Sequence, residues 1–227
     1  FRQQGYIPFS YPESVTRTVE YAYDDWVIGQ FAGQVMGLQA DQQYFTKSSY
    51  AYRHLFHPGE MSLLPRQDSA FKLQPGTTGY KEGDQWIYSY FVPQHQQDLI
   101  NLMGGPALFV RRLDDALREG QIIFDNETVF HVPWLFNAAG APGKTQQWIG
   151  EILHKRFNAT PGGLPGNDDL GAMSSWYILS AMGIYPICPG SPEYTIGTPL
   201  FRSIRLHLQN GRALLIERHG ASPYIRS

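Results

Sequence analysis

Ser14-Val-Thr-Arg-Thr-Val-Glu-Tyr-Ala-Tyr-Asp-Asp-Trp26 is the stretch that decides the fold class. Apolar residues recur along it every three or four positions, which predicts an amphipathic helix with one buried face. Ser14 follows a proline and is predicted to cap a helix that runs to about Gly37. The positions expected on the buried face are Val15, Val19, Ala22, Trp26 and Val27.

Helical periodicity recurs through most of the chain, and short strands follow it. Further helices are predicted at 95–103, 107–118, 128–138, 142–157 and 171–182, with a long Gly- and Pro-rich loop over about 60–83. From Tyr185 onward short apolar runs flank Asn210-Gly211, which is a strong hairpin signal. The predicted fold is mainly α with a short C-terminal β segment. Helix pairs with long loops fit an (α/α)6 toroid, and they also fit an ordinary helical bundle.

Composition narrows the class of partner. The chain has 18 Lys+Arg against 20 Asp+Glu, so it has no excess of cations to neutralise nucleic-acid phosphates or an anionic membrane surface. It has no apolar run long enough to span a bilayer. Aromatic residues make up 14% of the sequence, as is common in sugar-binding proteins. The first residues contain no signal peptide pattern, and the chain is expected to be a fragment.

The loop Tyr80-Lys-Glu-Gly-Asp-Gln-Trp86 concentrates carboxylates beside aromatic residues. A carboxyl group that packs against Trp or Tyr loses hydration, which raises its pKa and favours a proton-donating role for Glu82. The alternative is that Glu82 or Asp84 caps the following helix.

A second carboxylate pair stands at the Gly-rich entry to an apolar helix, in Gly163-Leu-Pro-Gly-Asn-Asp-Asp-Leu-Gly171. A helix cap needs one Asp, and adjacent carboxylates repel each other. One interpretation is that Asp168 or Asp169 caps the helix while the other acts as a base or metal ligand. The alternative is a purely structural role for both.

The segment Asp125-Asn-Glu127 supplies hard oxygen donors of the kind that calcium prefers, although its spacing is not that of an EF-hand. Helix capping is again the alternative. Seven scattered histidines show no zinc-like spacing, and no nucleophile elbow or phosphate-binding loop is present.

Taken in order, these motifs resemble glycoside hydrolase family 92, the calcium-dependent exo-α-mannosidases. The resemblance covers almost the whole chain. It runs through Ser14–Trp26, Glu82–Pro93, Met103-Gly-Gly105, Asn126-Glu127, Phe136–Gly140, Lys144–Gln146, Gly166–Tyr177 and Ala181–Gly190.

The resemblance implies that residues 1–184 are the later helices of an (α/α)6 catalytic toroid and that 185–227 is an incomplete β-strand segment. It further implies that the chain needs an N-terminal β-domain of its own protein. Calcium is the implied cofactor, mannose-containing glycans of the N-glycan or mannan type are the implied partners, and the implied location is secreted or periplasmic. Nucleic acid and membrane partners are not expected.

The implied reaction is single-displacement hydrolysis with inversion. Glu82 matches the general acid and Asp169 the general base, with Asp168 as a neighbouring support; Trp86, His131 and Asn167 fall at implied substrate contacts. Asn126 and Glu127 match the calcium site, through a carbonyl and a carboxylate respectively.

Two departures from the family pattern keep alternatives open. Glu127 is followed by Thr128-Val-Phe-His131 instead of Pro-Ser-His-His, and Asn167 stands where some members have Asp. A catalytically impaired, carbohydrate-binding remnant of the same family is therefore one alternative. An unrelated toroid enzyme such as a polysaccharide lyase is another.

Overall fold

Helices provide most of the regular structure in the computed structural model, which describes residues 1–219. The mainly α prediction is therefore confirmed. Residues 220–227, the end of the predicted β segment, lie outside the described residues. The chain divides into two units, Phe1–Ile122 and Ile123–Ser227. None of the helices over 1–219 has the length and apolar character needed to cross a membrane.

The first unit contains five α-helices, two short 3-10 helices (Ala51–Leu55 and Pro93–His95) and two minimal hairpins. The helices are α1 Ser14–Gln34, α2 Gln39–Ser48, α3 Gln85–Tyr88, α4 Gln96–Leu102 and α5 Pro106–Arg118, and the strands are β1 Phe56–His57, β2 Ser62–Leu63, β3 Arg66–Gln67 and β4 Ala70–Phe71. β1 pairs with β2 and β3 with β4, both antiparallel. The second hairpin lies within the long loop predicted over about 60–83, whereas the first hairpin begins before that loop, because β1 is Phe56–His57.

The start of α1 corrects one prediction. Ser14 is the first helical residue, so the N-cap position falls on Glu13 and not on Ser14. The Glu13 side chain makes no capping hydrogen bond. The Val15 N–H donates instead to the carbonyl of Gly79, 2.9 Å away, so a distant loop satisfies the helix end. Val15 is fully buried as expected, but Val27 is 37% exposed and does not lie on the buried face.

A polar network around His95 lies beside α4. The His95 ring stacks on Tyr50 with centroids 3.8 Å apart, and its Nε2 lies 2.8 Å from the Ser49 hydroxyl. That hydroxyl donates to the carbonyl of Thr46, so it accepts from the Nε2–H of a neutral imidazole. Burial lowers the pKa of His95 to about 4, and the nearby Arg53 guanidinium also lowers this pKa while the Asp98 carboxylate opposes both.

This network predicts that stability rises with pH between about 4 and 6.5. In that window unfolded His95 binds a proton that folded His95 does not, so the unfolded state is favoured as pH falls. Because the ring is only half-buried, the contribution is about 1–2 kcal/mol. Denaturant unfolding of the full-length protein should show a smaller loss of stability on acidification in His95→Gln than in wild type. The same substitution at exposed His154 is the control, and parallel stability curves for wild type and His95→Gln would contradict the prediction.

The second unit packs its helices around aromatic rings. Its helices are α6 Leu135–Ala138, α7 Pro142–Lys155 and α8 Ala172–Met182, and its strands are β5 Ile184–Tyr185, β6 Thr195–Ile196, β7 Ser203–His207 and β8 Ala213–Glu217. The predicted hairpin is confirmed, since β7 and β8 pair antiparallel across Asn210-Gly211.

The continuous helix predicted at 128–138 is wrong. The segment instead forms two 3-10 turns, Glu127–Val129 and Val132–Trp134, followed by the one-turn helix α6. Pro133 lacks an N–H and so supports only the start of a helical turn.

An aromatic cluster forms the core of the second unit. Phe124 and Trp176 approach to 4.3 Å between ring centroids, and the rings of Phe130 and Phe157 join them. The Trp176 indole N–H donates to the Phe130 carbonyl at 2.8 Å. This cluster fixes the segment 124–130 against α8, and each of these two elements adjoins a candidate site loop.

Candidate active site

The loop that carries Glu82 is anchored at three backbone points. The Gly79 carbonyl accepts from the Val15 N–H, and the Lys81 N–H donates to the Thr16 hydroxyl at 2.9 Å. The Lys81 carbonyl accepts from the Tyr88 hydroxyl at 2.7 Å. The position of Glu82 is therefore fixed by α1 on one side and by α3 on the other.

Within this loop the capping role falls to Asp84. Its Oδ1 accepts from the N–H groups of Trp86 and Ile87 at 2.8 and 3.2 Å. Glu82 has a left-handed backbone (φ 52°), which is unfavourable for a residue with a Cβ. Its side chain is 54% exposed and lies 3.6 Å from the Lys81 ammonium. Aromatic residues of the first unit therefore do not shield the Glu82 carboxyl group from water to the extent that the sequence predicts.

Trp86 is held on one face by a cation. The Arg112 guanidinium lies 4.5 Å from the indole centroid and also donates to the Ser62 hydroxyl at 2.9 Å. A cation over an indole is attractive and fixes the plane of the ring. Arg112 was not singled out in the sequence, because nothing in the spacing of α3 and α5 links these two positions.

The same division of roles occurs at the start of α8. The Asp168 Oδ1 accepts from the Ser174 N–H at 2.8 Å, and its carbonyl accepts from the Gly171 and Met173 N–H groups. Asp169 instead has a left-handed backbone (φ 44°), as does Leu170 after it (φ 59°). The side chain of Asp169 is directed into a hydrogen bond from the Asn167 amide. The Asp168 side chain therefore satisfies a backbone N–H in the first turn of α8, whereas the Asp169 side chain bonds to Asn167 instead. A role for Asp169 as base or metal ligand stays a prediction.

Gly166 brings the Asp169 loop against the candidate metal segment. A Cβ at this position would lie only 1.8 Å from the carbonyl oxygen of Asp125, a distance that no real side chain occupies. Only glycine permits this contact, so the loop 166–169 lies directly against the segment that leads into Asn126 and Glu127. The sequence shows Gly166 but not the backbone that it must approach.

Asn126 and Glu127 start a 3-10 turn. The Asn126 Oδ1 accepts from the Glu127 N–H at 2.9 Å, and the Asn126 carbonyl accepts from the Val129 N–H at 3.2 Å. Asn126 thus has the capping role that the sequence left open.

The donor types here fit calcium, which takes 6–8 oxygen ligands, but they form only a partial set. Over residues 1–219, no group of three or more His, Cys, Asp or Glu side chains is placed to hold a metal. Any complete site therefore needs further oxygens from backbone carbonyls, water, substrate or the remainder of the protein.

The structure separates the sequence-predicted residues by unit. Asn126, Glu127, Asn167, Asp168 and Asp169 all lie in the second unit, where Gly166 brings their two loops together. His131 also lies there, but it is only 6% exposed. Glu82 and Trp86 belong to the first unit.

Comparison with known proteins identifies the family to which this chain belongs. The family model described as the glycosyl hydrolase family 92 catalytic domain matches residues 1–227. This chain therefore belongs to glycosyl hydrolase family 92.

Individual relatives support this family assignment. An uncharacterized secreted glycosidase of Arthroderma benhamiae is 32% identical over 91% of this chain and 31% of its own length. The family GH92 α-mannosidase BT3965 of Bacteroides thetaiotaomicron, solved with mannoimidazole, is similar with a TM-score of 0.87 at 31% identity, covering 96% of this chain and 32% of that one. The inverting mannosidase BT2199 of the same organism gives a TM-score of 0.88 at 30% identity, covering 98% and 34%. The present chain spans about a third of the length of each of these relatives.

Proposed function

We propose that this chain is part of the catalytic domain of a calcium-dependent, inverting exo-α-mannosidase that releases mannose from N-glycans or mannans. The observation that carries the proposal is the repeated division of roles at two helix starts. Asp84 and Asp168 cap their helices, and each leaves a neighbouring carboxylate, Glu82 or Asp169, on a left-handed backbone. Strained backbone of this kind is concentrated at functional sites. The mannosidases among its relatives supply the substrate class.

Glu82 is the proposed general acid. It donates its proton to the glycosidic oxygen as the bond between that oxygen and the anomeric carbon breaks.

Asp169 is the proposed general base. It removes a proton from the water whose oxygen forms the new bond to the anomeric carbon on the opposite face, so configuration inverts. One proton leaves Glu82 and one arrives at Asp169, and exchange with solvent restores both groups. Asp168 supports the base by fixing the start of α8, and Trp86 and His131 remain proposed contacts to the sugar or its leaving group.

The Asn126 carbonyl and the Glu127 carboxylate are the oxygens of this chain that would hold calcium. A bound calcium ion supplies Lewis-acid contacts to sugar hydroxyls. The chain's own contribution is to fix these donors beside the Asp169 loop, through the contact between Gly166 and Asp125.

The remaining parts of the proposal concern the whole protein. We propose that the helices belong to an (α/α)6 toroid, that an N-terminal β-domain completes the site, and that the protein is secreted or periplasmic. The secreted relative from Arthroderma supports the location.

The function is tested by mannose release from α-mannosides by the full-length protein, followed by NMR to assign the anomer first formed. We expect β-mannose, and we expect loss of activity in a chelator with recovery on addition of calcium. Glu82→Gln should reduce kcat on natural mannosides by about 10²–10⁴-fold, because no proton reaches the leaving oxygen. A dinitrophenyl mannoside, whose leaving group needs no proton, should largely restore turnover in this variant.

Other outcomes would each remove a defined part of the proposal. Equal turnover of natural mannosides by Glu82→Gln and wild type would remove the acid assignment. Calcium-dependent mannoside binding without hydrolysis would identify a carbohydrate-binding remnant, and an unsaturated product would identify a lyase.

A further inference from the structure

Asn167 contacts the proposed base directly. Its Nδ2 donates to the Asp169 Oδ1, and the Asp169 N–H points back to the Asn167 Oδ1 at 3.5 Å. The amide group therefore lies over one edge of the carboxylate. Within the described part of the chain, Asp169 Oδ2 makes no hydrogen bond, so this oxygen is available to a water.

The ends of the loop are fixed independently of this pair. Gly166 is fixed by its contact with the Asp125 carbonyl, and Asp168 is fixed by its bond to the Ser174 N–H. Between these two points Asp169 has a left-handed backbone, and its carboxylate accepts from the Asn167 amide. The hydrogen bond is thus the contact that selects one orientation of the Asp169 carboxylate on an otherwise anchored loop.

The chemistry of the amide limits its role. An Asn side chain is neutral and cannot act as a base, but its NH₂ donates well to an ionised carboxylate. If Oδ1 accepts from the amide, the plane of the carboxylate is set and Oδ2 is the oxygen with both lone pairs left for the water that attacks the sugar. This removes rotational freedom that would otherwise be lost in the transition state.

We infer that Asn167 is a positioning residue that orients the Asp169 carboxylate through the Nδ2–Oδ1 hydrogen bond, and not a sugar-binding residue. This inference rests on the proposed role of Asp169 as general base. It replaces the substrate contact that the family resemblance implies for Asn167.

The test is a split between kcat and KM in the full-length protein. Asn167→Ala should lower kcat on an α-mannoside by about 10–100-fold with KM nearly unchanged, because ground-state contacts to the sugar are retained. Asn167→Asp has the same shape but cannot donate to the carboxylate, so it should show a similar fall. Exposed Asn158, in the preceding loop, is the matched control, and Asn158→Ala should keep wild-type kcat and KM. Thermal unfolding of each variant separates these effects from loss of structure.

Three results would overturn the inference. A raised KM with unchanged kcat in Asn167→Ala would show a sugar contact, and wild-type values for both would show no role. Wild-type kcat in Asn167→Asp would show that the position accepts a second carboxylate. If Asp169→Asn is inactive in the same assays, such results refute only the role of Asn167; if Asp169→Asn is fully active, the base assignment itself fails.

Discussion

Asp169→Asn is expected to lower kcat by about 10²–10⁴-fold on every mannoside, whatever its leaving group. The amide keeps the size and shape of the carboxylate but cannot accept a proton from the attacking water. A good leaving group removes the need for the acid but not for the base, so an activated substrate should rescue Glu82→Gln and not Asp169→Asn. Steady-state kinetics with a natural mannoside and a dinitrophenyl mannoside measure this difference.

Asp115→Asn is the control for this experiment, because Asp115 is an exposed carboxylate on α5. Its kinetics should equal those of wild type with both substrates. If the activated substrate restores Asp169→Asn as fully as Glu82→Gln, the two carboxylates do not have the separate roles assigned to them.

Gly166→Ala is expected to disrupt the base loop and the proposed calcium segment together. Its Cβ would lie 1.8 Å from the Asp125 carbonyl oxygen, and both atoms belong to the backbone, so one segment must move. A displacement of about 1 Å can cost about 10²-fold in rate, and strained overpacking costs about 1–3 kcal/mol of stability. Full-length protein should therefore lose turnover, and calorimetry should show weaker calcium binding.

Gly162→Ala provides the matched control. Gly162 precedes the same loop, and a Cβ there meets no atom within 4 Å. It should retain calcium affinity and activity. If Gly166→Ala loses turnover but binds calcium as wild type does, the two loops are not coupled through this contact.

Periodic sequence signals predicted much of the helical structure, because burial of one helix face leaves a clear pattern. The predicted segments 95–103, 107–118, 142–157 and 171–182 correspond to α4, α5, α7 and α8. The prediction of one helix over 128–138 was wrong for a physical reason. Apolar residues favour burial in any backbone conformation, and Pro133 interrupts the backbone hydrogen bonds that a continuous helix needs.

The sequence indicated which residue types form the candidate site, but it did not indicate which distant segments these residues contact. Adjacent Asp168 and Asp169 indicated that one of them would bind the start of the helix, and Asp168 does so; the role of Asp169 stays a prediction. The sequence could not show that the start of α1 binds the Gly79 carbonyl, or that Gly166 lies against Asp125. Both contacts join segments that are distant along the chain, and local propensity contains no information about such partners.

The assignment of helix capping to Asp84 and Asp168 has a genetic consequence. Because a cap stabilises the fold while the nearby carboxylate is the proposed catalytic group, mutations one or two codons apart are expected to affect stability and activity separately. Alleles that alter Asp84 or Asp168 would be sensitive to growth temperature, whereas alleles that alter Glu82 or Asp169 would yield normal amounts of inert protein. Measuring protein abundance at two temperatures would then sort a collection of randomly generated alleles before any enzyme assay is performed.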